Sequence, residues 1–186
     1  MTDRDFPLPD DLPRPVDDGA ADHLTGQALP GLRLRSTDAR VIVLASLGQP
    51  RAVLYLYPMT GRPGIALPEG WDLIPGARGC TPESCGFRDY HAELQAAGAE
   101  VYGLSSQSTD YQKEAAGRLH LPFPLLSDQT LTLADALQLP TFTAGGMRLF
   151  TRLTMVIADG LIERVFYPVF PPDQHAGEVL RWLHEN

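Results

Sequence analysis

The sequence predicts an α/β sandwich built on a mixed β-sheet. Two runs, Ala52 to Tyr57 (AVLYLY) and Glu100 to Leu104, are largely apolar, as strands buried on both faces are. Helical periodicity lies between them, which makes one strand–helix–strand crossover with parallel pairing. RLTMVIADGLIERVFY then reads as two strands about an Asp159-Gly160 turn, an antiparallel hairpin.

The elements follow in order. Leu32 to Arg35 and Arg40 to Leu44 form a small hairpin around Ser36-Thr37-Asp38. The AVLYLY strand ends at Pro58, and a long loop follows. A helix is expected over about residues 81–97: Thr81 is a suitable N-cap, Pro82 suits the first helical position, and Phe87, Tyr90, Leu94 and Ala97 recur at helical spacing before Gly98. Ser108, Thr109 or Asp110 caps a helix running to about Leu119. LPFPLLSD brings a short extended piece and a turn, and Leu131 to Leu137 a short helix. Arg152 to Ala158 and Leu161 to Tyr167 are the hairpin strands, and Val179, Leu180 and Leu183 mark the apolar face of a last helix from about Asp173. There is no internal repeat.

A chain of 186 residues with 44% hydrophobic content fits one domain with a sizeable core. A net charge of −8 argues against nucleic acid or an anionic membrane surface as the main partner. Residues 1–23 are acidic and proline-rich, which predicts a mobile tail ahead of a domain over 24–186. The tail lacks the apolar core of a signal peptide, and no apolar run approaches the roughly 20 residues of a membrane span. The expected setting is cytoplasmic and reducing, where a cysteine pair is more often catalytic than structural.

Cys80 and Cys85 are the only cysteines, in GARGCTPESCGFRD. A helix amino end offers unpaired N–H groups and a positive dipole end, which favour a thiolate, so Cys80 at the helix mouth is expected to ionise near neutral pH. Five residues along a helix rotate a side chain by about 140° and raise it by about 7.5 Å. A disulfide needs Cα atoms within about 7 Å, so a Cys80–Cys85 bond requires the first turn to unwind. His91, His120, His175 and His184 are scattered, and with CxxxxC they fit a structural zinc site poorly. Ser105 and Ser106 read as turn and capping groups, Tyr55 and Tyr57 as core or pocket wall, Arg88 and Asp89 as structural partners, and Arg78 as a source of positive potential beside the thiol.

AVLYLYP, GCTPESCGFRD, LPFPLLSD, a Gly-rich turn leading into RLTMVIADG, and a histidine at the start of the last helix occur in this order. Together, over about residues 24–186, they resemble the peroxiredoxin Q group, or bacterioferritin comigratory proteins. The resemblance implies a thioredoxin-like three-layer sandwich. It implies a peroxidase acting on hydrogen peroxide or organic hydroperoxides, without metal or bound cofactor. Cys80 would be the peroxidatic nucleophile, Cys85 the resolving partner through a Cys80–Cys85 disulfide, Arg152 the family arginine beside the thiol, and a thioredoxin-type protein the reductant. The expected assembly is a monomer or weak dimer. The backbone N–H groups of residues 79 and 80 are expected to help stabilise the leaving oxygen.

One departure stands out. The family's PxxxTxxC arrangement is interrupted: Pro58 and Thr60 are separated from Cys80 by GRPGIALPEGWDLIPGARG, and Ala77 stands where the threonine would fall. Either Thr60 replaces it, reaching the peroxide because residues 61–78 loop out, which is the expected reading, or the hydroxyl is absent; the loop itself either covers the pocket or shapes access to it, or is a plain surface excursion. Two other classes fit a cysteine pair: a peroxide sensor acting through a partner, and a dithiol/disulfide oxidoreductase, although the latter usually carries CxxC.

Overall fold

The small hairpin expected near residue 37 is present: β1 (Arg33–Ser36) pairs antiparallel with β2 (Val41–Val43) in the computed structural model, which describes residues 8–186. The elements that follow are β3 (Arg51–Leu56), α1 (Cys80–Asp89), α2 (His91–Ala96), β4 (Ala99–Ser105), α3 (Thr109–Arg118), β5 (Leu125–Ser127), α4 (Thr132–Leu137), β6 (Thr141–Ala144), β7 (Met147–Phe150), β8 (Leu153–Ala158), β9 (Leu161–Phe166) and α5 (His175–Glu185). Seven strands form one mixed sheet in the order β2-β1-β5-β4-β3-β8-β9. β3 pairs parallel with β4 and antiparallel with β8, so the AVLYLY run is central.

Alternation along β3 divides the core. Ala52, Leu54 and Leu56 face an aliphatic cluster with Leu24 and Leu29 of the amino-terminal segment, Leu133 and Leu137 of α4, and Phe150. Val53, Tyr55 and Tyr57 face a more aromatic cluster with Phe87 of α1, Leu94 of α2 and Val179, Leu180 and Leu183 of α5. These are the three layers: α1, α2 and α5 on one face, the sheet, and α4 with the amino-terminal segment on the other.

Three local expectations are corrected. The helix expected over 81–97 is two helices, separated at Tyr90, whose φ of −95° and ψ of 8° leave the helical region. Tyr90 packs beside α5, its ring 3.6 Å from where a Cβ on Gly177 would lie, so α1 follows α5 while α2 turns onto β4. The N-cap is Gly79 and not Thr81, which makes Cys80 the first helical residue. Gly79 has φ of 109°, and a Cβ there would meet Pro172 at 2.3 Å, so glycine alone suits this entry. Pro82 then sits third in the helix, still among the first four N–H positions that have no intrahelical partner. The Gly-rich turn before β8 is part of a second sheet, the β6–β7 hairpin, turned by Gly145 and Gly146 at φ of 55° and 74°.

Of the expected tail, residues 1–7 lie outside the described residues. Residues 8–23 lie against the body: Arg14 stacks over Phe170, Asp18 accepts a hydrogen bond from Tyr167 at 2.9 Å, and His23 is 2.8 Å from the Leu137 carbonyl. Among the described residues, no helix is long and apolar enough to cross a membrane.

Candidate active site

Gly79 starts α1 so that the Cys80 side chain, 3% exposed, enters the aromatic face of the core and also lines a cleft of about 530 Å³. Arg152, one residue before β8 and 2% exposed, reaches the same point. Its Nη2 donates to Cys80 Sγ at 3.2 Å and to the Ala77 and Arg78 carbonyls at 3.2 Å each, and its Nε donates to the Gly76 carbonyl at 3.3 Å. One planar fork thus fixes the chain entering the helix and the sulfur together.

The third member is Glu83, fully buried in the first turn of α1, whose Oε2 accepts from Arg152 Nη1. Its Oε1 is buried and has no hydrogen-bond partner among the described residues. Sequence reasoning missed Glu83, because a glutamate in a first helical turn looks like an exposed partner of the dipole. Beyond it, His175 joins Thr154 of β8, at 2.8 Å, to Glu178, at 3.0 Å, with its ring edge-on to Phe87 and Phe166.

Burial pushes the Cys80 thiol up; the Arg152 guanidinium draws it down, the Glu83 carboxylate opposes that, and the Met59 backbone N–H also favours the thiolate. The expectation of ready ionisation counted the helix end and omitted burial. Burial likewise pushes Glu83 up against the pull of Arg152. One permanent cation therefore faces two groups that can each carry a negative charge, and they titrate as a coupled pair. Glu83 in its protonated form leaves Arg152 to the thiolate.

Cys85 is buried at 1% exposure inside the same helix, and no disulfide links it to Cys80. Thr60 is buried, and its hydroxyl is committed to a partner other than the sulfur. Its N–H and hydroxyl donate to Gln107 Oε1 at 3.0 and 3.2 Å, and its carbonyl accepts from Gln107 Nε2 and Tyr111. Its neighbours Met59 and Gly61 line the cleft. The inserted segment begins here, and Gln107, from the loop after β4, anchors it. Ala77, at the family threonine's place, supplies its carbonyl to Arg152 and no hydroxyl.

Residues 61–78 are more than a surface excursion. Trp71, 4% exposed, forms a small core with Ala77 and with Ala144 and Leu149 of the β6–β7 hairpin, and its ring lies 6.1 Å from that of Phe142. Arg78 pairs with Asp72 at 2.8 Å and lines the cleft. Tyr55 and Tyr57 are core, with Tyr55 bonded to Ser84 at 3.0 Å; Ser105 is a buried partner of Gln112 at 2.9 Å; Arg88 pairs with Asp89 and donates to the Leu119 carbonyl. Among the described residues, no three His, Cys, Asp or Glu side chains gather as metal ligands.

A cysteine at a helix mouth, facing a buried arginine on a sheet of this topology, defines a cysteine-centred protein of thioredoxin-like fold. The chain belongs to the AhpC/TSA family, whose profile matches residues 73–165. Within that family it is similar to peroxiredoxin Q, chloroplastic, from Oryza sativa subsp. japonica: 31% identical over 159 residues, 85% of this chain and 65% of the rice protein. The chain thus spans just under two thirds of the rice relative's length. It is 30% identical to peroxiredoxin Q of Sedum lineare over 85% of this chain and 76% of that protein. In structure it is similar to peroxidoxin BcpB from Mycobacterium tuberculosis, with TM-score 0.70 and 27% identity over 88% of this chain and 98% of that one. A PrxQ mutant from Xylella fastidiosa shares the fold, with TM-score 0.70 at 23% identity over 88% and 97%.

Proposed function

We propose that the protein is a thiol peroxidase in which Cys80 reduces hydrogen peroxide or an organic hydroperoxide and Cys85 closes the cycle as a disulfide. The Cys80 thiolate attacks one peroxide oxygen, an S–O bond forms, the O–O bond breaks, and the departing oxygen takes a proton to leave as water or alcohol. The Arg152 guanidinium, 3.2 Å from the sulfur, is placed to stabilise the charge developing on that oxygen. The resulting sulfenic acid condenses with the Cys85 thiol, forming the S–S bond and releasing water. That step requires the first turn of α1 to open, since both cysteines lie within one intact helix. A thioredoxin-type dithiol in a reducing, cytoplasmic setting returns both thiols.

The carrying observation is the contact between Arg152 Nη2 and Cys80 Sγ, in a chain of this family. Thr60 takes no part in the chemistry in this reading; it holds the end of β3 through Gln107. The test is peroxide consumption with a dithiol donor. The parent turns over, Cys80→Ser does not, and Cys85→Ser completes one equivalent and stalls unless a small thiol resolves it. Turnover by Cys80→Ser equal to the parent overturns the assignment.

A further inference from the structure

We propose that Gln107 is a positioning residue for the Cys80 chemistry: it grips the backbone of Thr60 and so aims the Met59 N–H at the Cys80 sulfur, as a second donor beside Arg152. This rests on the peroxidase reading and adds to it a residue that touches no reacting atom and acts through the main chain.

The need for a grip follows from where the sheet stops. β3 pairs with β4 as far as Leu56 and Leu104, and the Tyr57 N–H still reaches the Leu104 carbonyl at 3.1 Å. Pro58 has no N–H to give, so the ladder breaks there. The next three residues run on along the Cys80 cleft, where Met59 and Gly61 form part of the wall. Main chain that leaves a sheet in this way needs other partners for its buried N–H and carbonyl groups.

Gln107 supplies them. Its Oε1 accepts from the Thr60 N–H at 3.0 Å, and its Nε2 donates to the Thr60 carbonyl at 3.1 Å. One side-chain amide thus makes both bonds that a residue of a neighbouring strand would make. The Thr60 hydroxyl adds a third contact at 3.2 Å. Tyr111 donates to the same Thr60 carbonyl at 3.3 Å, and Arg118 donates to the Gly61 carbonyl at 3.0 Å. Gln107 is itself held: its N–H donates to Ser105 Oγ at 3.2 Å, and its carbonyl accepts from Ser127 Oγ at 2.6 Å. Those two serines end β4 and β5, so the clamp stands on the rigid end of the sheet.

The clamp leaves one donor over, the Met59 N–H. It lies between Pro58, whose ring fixes its own φ, and the gripped Thr60, and among the described residues no carbonyl accepts it. Its hydrogen bond goes to Cys80, where it favours the thiolate. The sulfur then has one donor from the head of β8 and one from the end of β3, adjacent strands of the sheet. Arg152 divides its donors between Cys80 and Glu83, whereas the Met59 N–H has no such competitor among the described residues.

The test compares the parent with Gln107→Ala and Thr60→Val in kcat/KM for hydrogen peroxide. Thiolate absorbance against pH and the amide signals of ¹⁵N-methionine-labelled protein are read beside it, in a Cys85→Ser background so that a single thiol ionises. The chain has only four methionines, so the Met59 signal is readily assigned. Its amide proton should move downfield as Cys80 ionises, more than those of Met147 and Met155. In Gln107→Ala that movement should shrink, the Cys80 pKa should rise, and kcat/KM should fall about tenfold, short of the 10²–10³ for losing a donor outright. Thr60→Val keeps both main-chain grips and should lose no more than about twofold, since one neutral hydrogen bond is removed. A rate loss in Gln107→Ala with the Met59 signal and the Cys80 pKa unmoved makes Gln107 structural only and overturns the inference. So does an equal loss in Thr60→Val, which would place the effect in the hydroxyl. The parent spectrum tests the donor even if Gln107→Ala does not fold: a Met59 amide indifferent to Cys80 ionisation overturns the inference and leaves the peroxidase intact. No turnover of hydrogen peroxide by the parent overturns the peroxidase reading, and with it the catalytic purpose of the clamp.

Discussion

The two faces of the central sheet are laid down by the same strand and do different work. Leu54 and Leu56 of β3 point into an aliphatic core closed by α4 and the amino-terminal segment. Tyr55 and Tyr57, one residue out of step, point into the face covered by α1, α2 and α5, where Cys80 also sits. The first face is mainly apolar packing, with Asp128 buried at its edge as acceptor for the Thr132 and Leu133 N–H groups that start α4. The second encloses Arg152 and Glu83 at 2% and 0% exposure, groups that are costly to bury singly and tolerable as a pair. A polar constellation persists in a core when every member is held by another, as Arg152 is by Glu83, Cys80 and three backbone carbonyls.

The contrast breaks most visibly at Arg152. Arg152→Gln should lower kcat/KM for peroxide by roughly 10²–10³, the range for removing one donor to a developing charge. It should also destabilise the fold by about 3–5 kcal/mol, because Glu83 loses its buried partner. Adding Glu83→Gln should recover stability in urea but not the rate; recovery of both would make Arg152 structural only. On the other face, Leu54→Ala should cost about 2–5 kcal/mol and leave the rate per folded molecule unchanged. A large drop in that rate would show that the two faces are coupled.

Glu83→Gln alone sharpens the electrostatic side. The Glu83 carboxylate raises the Cys80 pKa, so replacing it with a neutral amide should lower that pKa and move the rate profile to lower pH. Thiolate absorbance against pH measures it, and an upward shift would contradict the coupled pair. The smallest effect is expected at Thr60, whose hydroxyl is committed to Gln107. Thr60→Val should cost about 0.5–1.5 kcal/mol of stability and little of the rate. A rate loss matching that of Arg152→Gln would return Thr60 to the site.

How much was legible follows the same division. The central strands announce themselves, because a strand buried on both faces must be apolar along its length, and AVLYLY and LTMVIA are. Cys80 was legible through its helix mouth, and Arg152 through the resemblance, which matched it to the family arginine. Glu83 and Gln107 were not, since their roles come from partners 69 and 47 residues away. The β6–β7 hairpin was half legible: the Gly145-Gly146 turn is in the sequence, but TFTA and MRLF are too polar on one side to read as core strands. The break at Tyr90 was hidden because its cause is α5, nearly ninety residues on.

The most direct measurement is intact mass and free-thiol count after one equivalent of hydrogen peroxide is added to the reduced parent, Cys85→Ser and Cys80→Ser. The account predicts rapid loss of both thiols and about two mass units in the parent, a trapped sulfenic acid in Cys85→Ser, and no reaction on that timescale in Cys80→Ser. Slow oxidation at similar rates in all three would contradict it, and the buried arginine beside Cys80 would then be a structural clamp without peroxide chemistry.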